Sequence, residues 1–393
     1  MKEPRILFIT NKYAMYRKPI FHKLADNLKV YFLFTDEKKI EDLRGKHEVL
    51  RKYGVRPFAF AFGLIPVLLF KKYDLVVFPP ADSPGELFDN FVCFVANRIK
   101  GKPYLIWSER WRWKDEKKSF KRRFYLTFDE FVMGFIFRNA SVCITDGKKH
   151  KEYLLSLNVS ENKIIVIPPA SVVEINSDNN DIDSIKDELG IGEKKVILYV
   201  GRLIKLKGAN FLIEAFARLR TEMDDLYLLV IGGEGLYGKT SEERFRIDEL
   251  KELSEKLGLK LKCDISFCGD VIGKELSRYF LICNVFVLPG ITYVIGEAWG
   301  LVLNEAMQFG KPVISTDAVG AAYDLIEDGI NGFMVPEKNV EALYKALIRI
   351  LSDPKLEEKM GIESRRIISR YSYEDMFDGF KKAFNCALKS NNK

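Results

Sequence analysis

Short apolar runs bounded by turn-forming residues recur along the whole chain, and most are continuous rather than alternating. In the first half they fall at Arg5–Thr10 (RILFIT), Lys29–Thr35 (KVYFLFT), Asp74–Pro79 (DLVVFP), Tyr104–Ser108 (YLIWS), Ser141–Thr145 (SVCIT) and Lys163–Pro168 (KIIVIP). A second series falls at Lys195–Gly201 (KVILYVG), Leu226–Ile231 (LYLLVI), Ile265–Gly269 (ISFCG), Val285–Leu288 (VFVL), Pro312–Thr316 (PVIST) and Gly332–Val335 (GFMV). A strand apolar on both faces must be covered on both faces, and segments of helical period separate the runs. The pattern therefore predicts two doubly wound, Rossmann-like parallel-sheet domains. Glu174–Asp183 (EINSDNNDID) is polar and weakly patterned, and reads as the linker between them. The expected organisation is a first domain over 1–175, a second over 190–370, and a segment 371–393. That last segment holds a helical pattern, Tyr373–Leu388, with no strand left to follow it, so it is expected to pack back on the first domain. In open parallel sheets ligands gather beyond the carboxyl ends of the strands, which makes a cleft between two facing domains the expected site.

Length agrees with this division, since 393 residues exceed what one core usually supports. The longest apolar run, Phe58–Phe70 (FAFAFGLIPVLLF), is too short and too broken by Gly63 and Pro66 to span a bilayer. The N-terminus opens into a strand pattern rather than a signal peptide, so the expected location is cytoplasmic, with a peripheral place on the inner face of the cell membrane left open. Six cysteines, at 93, 143, 263, 268, 283 and 386, show no repeated spacing and have three histidines to join them. They read as reduced core residues rather than a metal cluster or a disulfide framework. The net charge of +7 hides an asymmetry: residues 1–170 carry 32 Lys and Arg against 19 Asp and Glu, a balance of +13. The remainder is therefore acidic, and an anionic partner belongs to the first half: phosphate, a membrane surface or nucleic acid.

Two stretches carry chemistry. Gly296–Ala306 (GEAWGLVLNEA) sets Glu297 and Glu305 eight positions apart across an apolar run, with helical spacing over Gly300–Phe309 ended by Gly310. The unpaired amides of that helix start, near Gly300, Leu301 and Val302, form an anion site between the two carboxylates. A nucleoside diphosphate sugar fits this layout: pyrophosphate on the amides, ribose hydroxyls on Glu305 and sugar hydroxyls on Glu297. The second stretch, Gly201–Gly208 (GRLIKLKG), follows a strand and presents Arg202 and Lys207, one fork-shaped and one point cation suited to a departing diphosphate. Taken singly, each stretch also reads as solvated charge.

As a set the stretches resemble a known family. GRLIKLKG, IGGEG (231–235), SFCGDV (266–271), VFVLPG (285–290), the E-x7-E at 297–305, GKPVISTDAVG (310–320) and DGINGFMV (328–335) follow the order and spacing of retaining glycosyltransferase family 4, of the GT-B fold. The resemblance covers nearly all of 195–370. It implies that Arg202 and Lys207 hold the diphosphate of a donor such as a UDP- or GDP-hexose, Glu305 the ribose and Glu297 the transferred sugar. The loop Gly269–Ile272, with Gly269 and Val271, is implied to hold the base. No cofactor and no divalent metal is implied, because cations and amides do that work. The D-x-D at Asp181–Asp183 lies in the linker.

The first domain departs from the family pattern. Its first loop, Asn11–Pro19 (NKYAMYRKP), has no glycine, and the fourth strand ends Trp107-Ser108-Glu109-Arg110 with no histidine there. Glu109 is expected to replace that histidine, with Asn11, Arg17 and Arg110 facing an acceptor; a plain salt bridge from Glu109 to an arginine is the other reading. Beyond it, Arg110–Lys114 and Lys117–Tyr125 interleave Arg and Lys with Trp and Phe and lead into an apolar helical run through Phe137. That composition suits an anionic membrane surface, a solvated basic face or a phosphorylated soluble acceptor. Nucleic acid is not expected, since the donor motifs leave it no room, and a dinucleotide-dependent oxidoreductase fits poorly, since no G-x-G-x-x-G follows the first strand of either half. The sequence thus reads as a retaining, metal-independent hexosyltransferase acting on a glycan or glycolipid acceptor. A soluble disaccharide or glucan synthase, and a non-catalytic sugar-nucleotide-binding protein, remain the alternatives.

Overall fold

The computed structural model describes residues 3–36, 40–54, 58–81, 83–111, 120–171, 173, 179–233, 245–292 and 296–390. The chain divides into two compact units, one built from residues up to 170 together with 372–393, the other from 171–371.

The first unit centres on seven parallel strands: β1 (Ile6–Thr10), β2 (Val30–Phe34), β3 (Lys46–Val49), β4 (Leu75–Phe78), β5 (Tyr104–Ser108), β6 (Val142–Thr145) and β7 (Ile164–Val166). They lie in the order β3-β2-β1-β4-β5-β6-β7, so the winding reverses between β1 and β4. Its helices are α1 (Lys18–Asn27), α2 (Leu64–Phe70), α3 (Pro84–Lys100), α4 (Phe120–Asn139) and α5 (Lys148–Ser156). Phe8, Phe32, Leu105 and Ile144 face one core, joined by Phe21 of α1; Leu7, Val76, Ile106 and Cys143 face the other, joined by Leu68, Cys93 and Phe137 of α2, α3 and α4. This is why the strands read as unbroken apolar runs. β3 (KHEV) escaped that reading, because an edge strand is half-wet and carries charge.

The second unit opens with α6 (Asn179–Leu189) and carries six parallel strands: β8 (Lys195–Val200), β9 (Leu226–Ile231), β10 (Ile265–Gly269), β11 (Val285–Leu288), β12 (Val313–Thr316) and β13 (Gly332–Val335). Their order, β10-β9-β8-β11-β12-β13, reverses between β8 and β11. The helices are α7 (Ala209–Leu219), α8 (Ile247–Lys256), α9 (Lys274–Ile282), α10 (Val302–Gln308), α11 (Ala322–Leu325), α12 (Val340–Leu351) and α13 (Pro354–Ile368). The polar stretch read as a linker is corrected in part, because α6 begins inside it at Asn179.

The last helix, α14 (Tyr373–Ser390), belongs to the first unit, where Phe377, Phe380 and Phe384 pack in the core of Phe8 and Trp107. Burying each such ring is worth roughly 1.5–3 kcal/mol. Cys93, Cys143 and Cys283 are buried as expected, whereas Cys263 and Cys386 are exposed, a correction to the core reading; all six thiols are free. Among the described residues no helix is long and apolar enough to cross a membrane.

Candidate active site

The reversal of strand order in the second unit leaves a gap between the chain segments leaving β8 and β11, and the candidate residues gather there. Leaving β8, the buried Tyr199 hydroxyl donates to the Arg202 carbonyl (3.1 Å), and the Leu203 amide donates to the Gly233 carbonyl (2.9 Å). Burial first, then the Glu297 charge, push the Tyr199 hydroxyl well above its ordinary range, and the Arg202 charge opposes them. Arg202 itself is exposed. A single 3-10 turn, Lys205–Lys207, ends at Gly208, which sits at φ +66° with its absent Cβ only 1.9 Å from the Pro289 carbonyl oxygen. Only glycine satisfies both demands.

That turn seats the buried Lys207 with its Nζ 2.7 Å from Glu297 Oε2; the two side chains are 10% and 18% exposed. Glu297 is fixed through its backbone as well, its amide donating to the Ala318 carbonyl (3.1 Å) and its carbonyl accepting from the Gly320 amide (3.0 Å). Gly300 follows at φ +98°, where a Cβ would lie 2.9 Å from Leu288 Cδ2 and 3.6 Å from Glu297 Cγ. The α-helix proper starts at Val302, later than the expected Gly300, so Gly300 and Leu301 form a turn ahead of it. The amides of Gly300, Leu301 and Val302 precede the helical hydrogen-bond ladder, whereas the Leu303 amide donates to the Gly300 carbonyl (2.9 Å).

Glu305 lies in the first turn of α10. Its Oε1 accepts from the Ser171 hydroxyl (3.0 Å), and Gln308 holds the same segment by donating to the Ser171 carbonyl and accepting from the Val173 amide (3.2 Å). Burial holds the Glu305 carboxyl above the usual carboxylate range, with the Ser171 hydroxyl pulling the other way. Around β9 and β10, the Gly232 amide donates to the Gly269 carbonyl (2.7 Å) and the Gly233 amide to Asp270 Oδ1 (2.7 Å). Gly269, at φ +69°, and half-buried Val271 thus stand beside the loop that leaves β9. Glu234 and Gly235 of that loop lie outside the described residues.

In the first unit the corresponding reversal lies between β1 and β4. Asn11 directly follows β1, its carbonyl accepting from the Asp36 amide (2.8 Å). Arg17 is buried, its guanidinium 4.6 Å from the Trp107 ring centroid and ion-paired with Glu109. These two line a small concavity with Thr10, Phe78, Pro80 and Trp107. Arg110 is placed differently from the expectation: both its terminal nitrogens bind the buried Asp129 carboxylate, at 2.5 and 3.1 Å, so it serves the fold of this unit. The basic and aromatic residues from Arg112 to Ser119 lie outside the described residues.

The sequence singles out Lys207 and Glu297 but not their pairing, and does not single out Ser171, Gln308 or Asp270, which bond to the neighbouring segments. Asp270 was inside a quoted motif; Ser171, far from Glu305 in sequence, offered no signal.

Two Rossmann-like units with these strand orders make up the GT-B fold. Residues 181–367 match the family model of the group 1 glycosyl transferases, and the chain is a glycosyltransferase similar to that family. Over 373 residues it is 26% identical to the capsular polysaccharide biosynthesis glycosyltransferase CapM of Staphylococcus aureus, covering 92% of this chain and 91% of that one. A GDP-mannose-dependent alpha-(1-6)-phosphatidylinositol monomannoside mannosyltransferase of Mycolicibacterium smegmatis is 28% identical over 46% of this chain and 45% of its own. Among solved structures, HepE of Anabaena in complex with UDP superposes with a TM-score of 0.78 at 17% identity, covering 97% of this chain and 99% of that one.

Proposed function

We propose that the protein is a retaining, metal-independent member of glycosyltransferase family 4 that moves a hexose from a nucleoside diphosphate sugar, such as UDP- or GDP-hexose, to a glycan or glycolipid acceptor on the cytoplasmic face of the membrane. One observation carries this reading: the ion pair of buried Lys207 with half-buried Glu297 at the strand-order reversal, with Gly300 against the Glu297 side chain. The donor's diphosphate would take Lys207, Arg202 and the amides of Gly300, Leu301 and Val302, while Glu305 accepts from the ribose hydroxyls. Supporting this, one relative carries a name that specifies GDP-mannose as donor and a phosphatidylinositol monomannoside as acceptor, and HepE was solved with UDP and with UDP-glucose.

Charge gives the mechanism. As the bond from the anomeric carbon to the phosphate oxygen breaks, negative charge grows on the diphosphate and positive charge on the sugar ring. Lys207 and Arg202 stabilise the first and Glu297 the second, which is stabilisation specific to the transition state. The acceptor hydroxyl attacks from the face the diphosphate leaves, its oxygen bonding to the anomeric carbon and its proton passing to a departing phosphate oxygen. Configuration is thereby retained without an enzyme nucleophile. On the first unit, Arg17 and Glu109 would orient the acceptor, with Asn11 beside them.

The purified chain should release nucleoside diphosphate from one donor of a UDP-, GDP- and ADP-sugar panel when membrane lipid is supplied. Release should be insensitive to EDTA, and the product should carry the donor's anomeric configuration by NMR. No release from any donor would favour a binding role. An inverted product would remove the proposed mechanism, and transfer to free sugars alone would favour a soluble disaccharide or glucan synthase.

A further inference from the structure

The first unit carries an apolar surface that its own fold does not cover. On α3, Phe88, Phe91, Val95 and Ile99 recur at helical spacing and are all exposed, while Leu87, Cys93 and Phe94 of the same helix are buried. The acids of the same helix, Glu86 and Asp89, are buried and so leave its outer face without negative charge. On α4 the same spacing brings out Phe128, Phe131 and Phe135, the last in edge contact with Phe94 at 5.4 Å between ring centroids. α2 adds Ile65, Leu69 and Phe70, with Phe70 82% and Phe131 72% exposed. Phe60 bridges Phe62 and Phe88, with centroids at 4.2 and 4.9 Å, so the surface extends past the start of α2. Apolar residues scattered singly on a surface mean little, but three adjacent helices each presenting an apolar stripe form a patch of the kind that marks an interaction site.

The surroundings identify the occupant. Lys71 and Lys72 follow Phe70 directly, and Lys100 follows Ile99. The Lys100 Nζ donates to the Lys71 carbonyl (2.7 Å), which draws the two helix ends together as a cationic corner of the patch. At the other side Arg51 lies over the exposed Tyr53 ring, which contacts Phe62. Aromatic side chains edged by Lys and Arg fit the boundary of an anionic bilayer, where rings enter the headgroup region and cations meet lipid phosphate. The charge balance of residues 1–170 has the same sign.

We infer that the joined faces of α2, α3 and α4 dock the protein on an anionic lipid surface, with rings of Phe70, Phe91 and Phe131 entering the interface. This deepens the membrane-surface reading above and transfers the contact from the basic stretch that runs into the start of α4 to a defined apolar face. It is independent of the donor chemistry of the second unit.

The test is sedimentation of the full chain with phosphatidylcholine vesicles, pure or containing about one-third phosphatidylglycerol. The wild type should pellet with the anionic vesicles. Combined Phe70→Ser, Phe91→Ser and Phe131→Ser should weaken that binding roughly tenfold or more, with donor binding and the circular dichroism spectrum unchanged. As a second readout, Phe91→Trp should gain blue-shifted fluorescence on anionic vesicles relative to the wild type. If the triple variant binds as well as the wild type while Lys121→Glu, Arg122→Glu and Arg123→Glu abolish binding, the membrane reading stands and this inference falls. If the wild type stays in the supernatant with both vesicles, both fall, yet donor turnover remains separately measurable. A lipid-free wild-type dimer that the triple variant dissociates would assign the patch to a second copy and overturn the inference.

Discussion

Replacing Glu297 by Gln tests the centre of the proposed site, because it removes charge at nearly constant volume. The change leaves the Lys207 ammonium, 10% exposed, facing an amide oxygen in place of a carboxylate at 2.7 Å. Weakening a buried charge-assisted hydrogen bond in this way should cost about 1.5–3 kcal/mol of stability. For a unit of this size that is a fall in Tm of roughly 3–12 °C. The catalytic effect should be larger: loss of one group that stabilises developing charge typically costs about 10²–10³ in kcat, or ~2.7–4 kcal/mol. Affinity for nucleoside diphosphate should move the other way. With Glu297 neutral, Lys207 loses its resident counter-ion and its charge turns wholly to the phosphates, so binding should hold or tighten by up to roughly tenfold, about 1.4 kcal/mol. The assay pairs initial rates at saturating donor with calorimetric titration of UDP and GDP into the free protein. Full activity would remove Glu297 from the mechanism. Diphosphate binding tenfold weaker at preserved Tm would show that Glu297 serves the phosphate side, contradicting the division of roles.

Lys207→Ala should weaken diphosphate binding by roughly ten- to a hundredfold, the worth of a charge-assisted contact, in the same titration; unchanged affinity would contradict its role as a phosphate clamp. Gly208→Ala should destabilise the second unit by about 2–4 kcal/mol in a thermal melt, since the new Cβ meets both a left-handed backbone and the Pro289 carbonyl, and an unchanged Tm would refute the close approach. Glu305 makes a prediction in pH. Because burial raises its folded pKa above the unfolded value, the carboxyl stabilises the fold most below the unfolded pKa and loses that contribution as pH rises through the folded one. Ribose hydroxyls need the ionised form as acceptor, so donor affinity should begin to fall on acidification above the ordinary carboxylate range. Glu305→Gln should therefore raise the melting temperature at neutral pH while weakening donor binding roughly tenfold and flattening its pH profile; loss of stability at unchanged affinity would contradict both halves.

The strands of both sheets were legible because burial on two faces leaves a continuous apolar run, a signal strong enough to survive without knowing the partners. Where one face is wet the signal disappears, and β3, with Lys46 and Glu48 at the sheet edge, was passed over. Asn179 and Asp181 concealed the start of α6, since the residues that favour helix starts are those that mark turns. In the second unit, glycine motifs announced the loops, because Gly208 and Gly300 are dictated by backbone geometry that few other residues accept. The side-chain pairings were a different matter. Lys207 joins Glu297, and Ser171 joins Glu305, because the winding reversal and the start of the unit bring distant segments together, and neither fact is written in local spacing.

The same reasoning explains why the first unit yielded less. Its charged residues are numerous, and a sequence cannot say which of two neighbouring arginines a carboxylate will choose. Arg110 lies next to Glu109 in the chain, just past the end of β5, yet Arg110 goes to Asp129 while Arg17, from the loop after β1, meets Glu109. Burial of Arg17 against Trp107 then makes that pair costly to separate, because removing one partner leaves a desolvated charge. An acceptor reaching this concavity would meet a neutralised pair rather than a free cation. Hydroxyl groups, which can donate to Glu109 and accept from Arg17 without displacing either, match it better than a second phosphate does, and a carbohydrate end of the acceptor fits that demand.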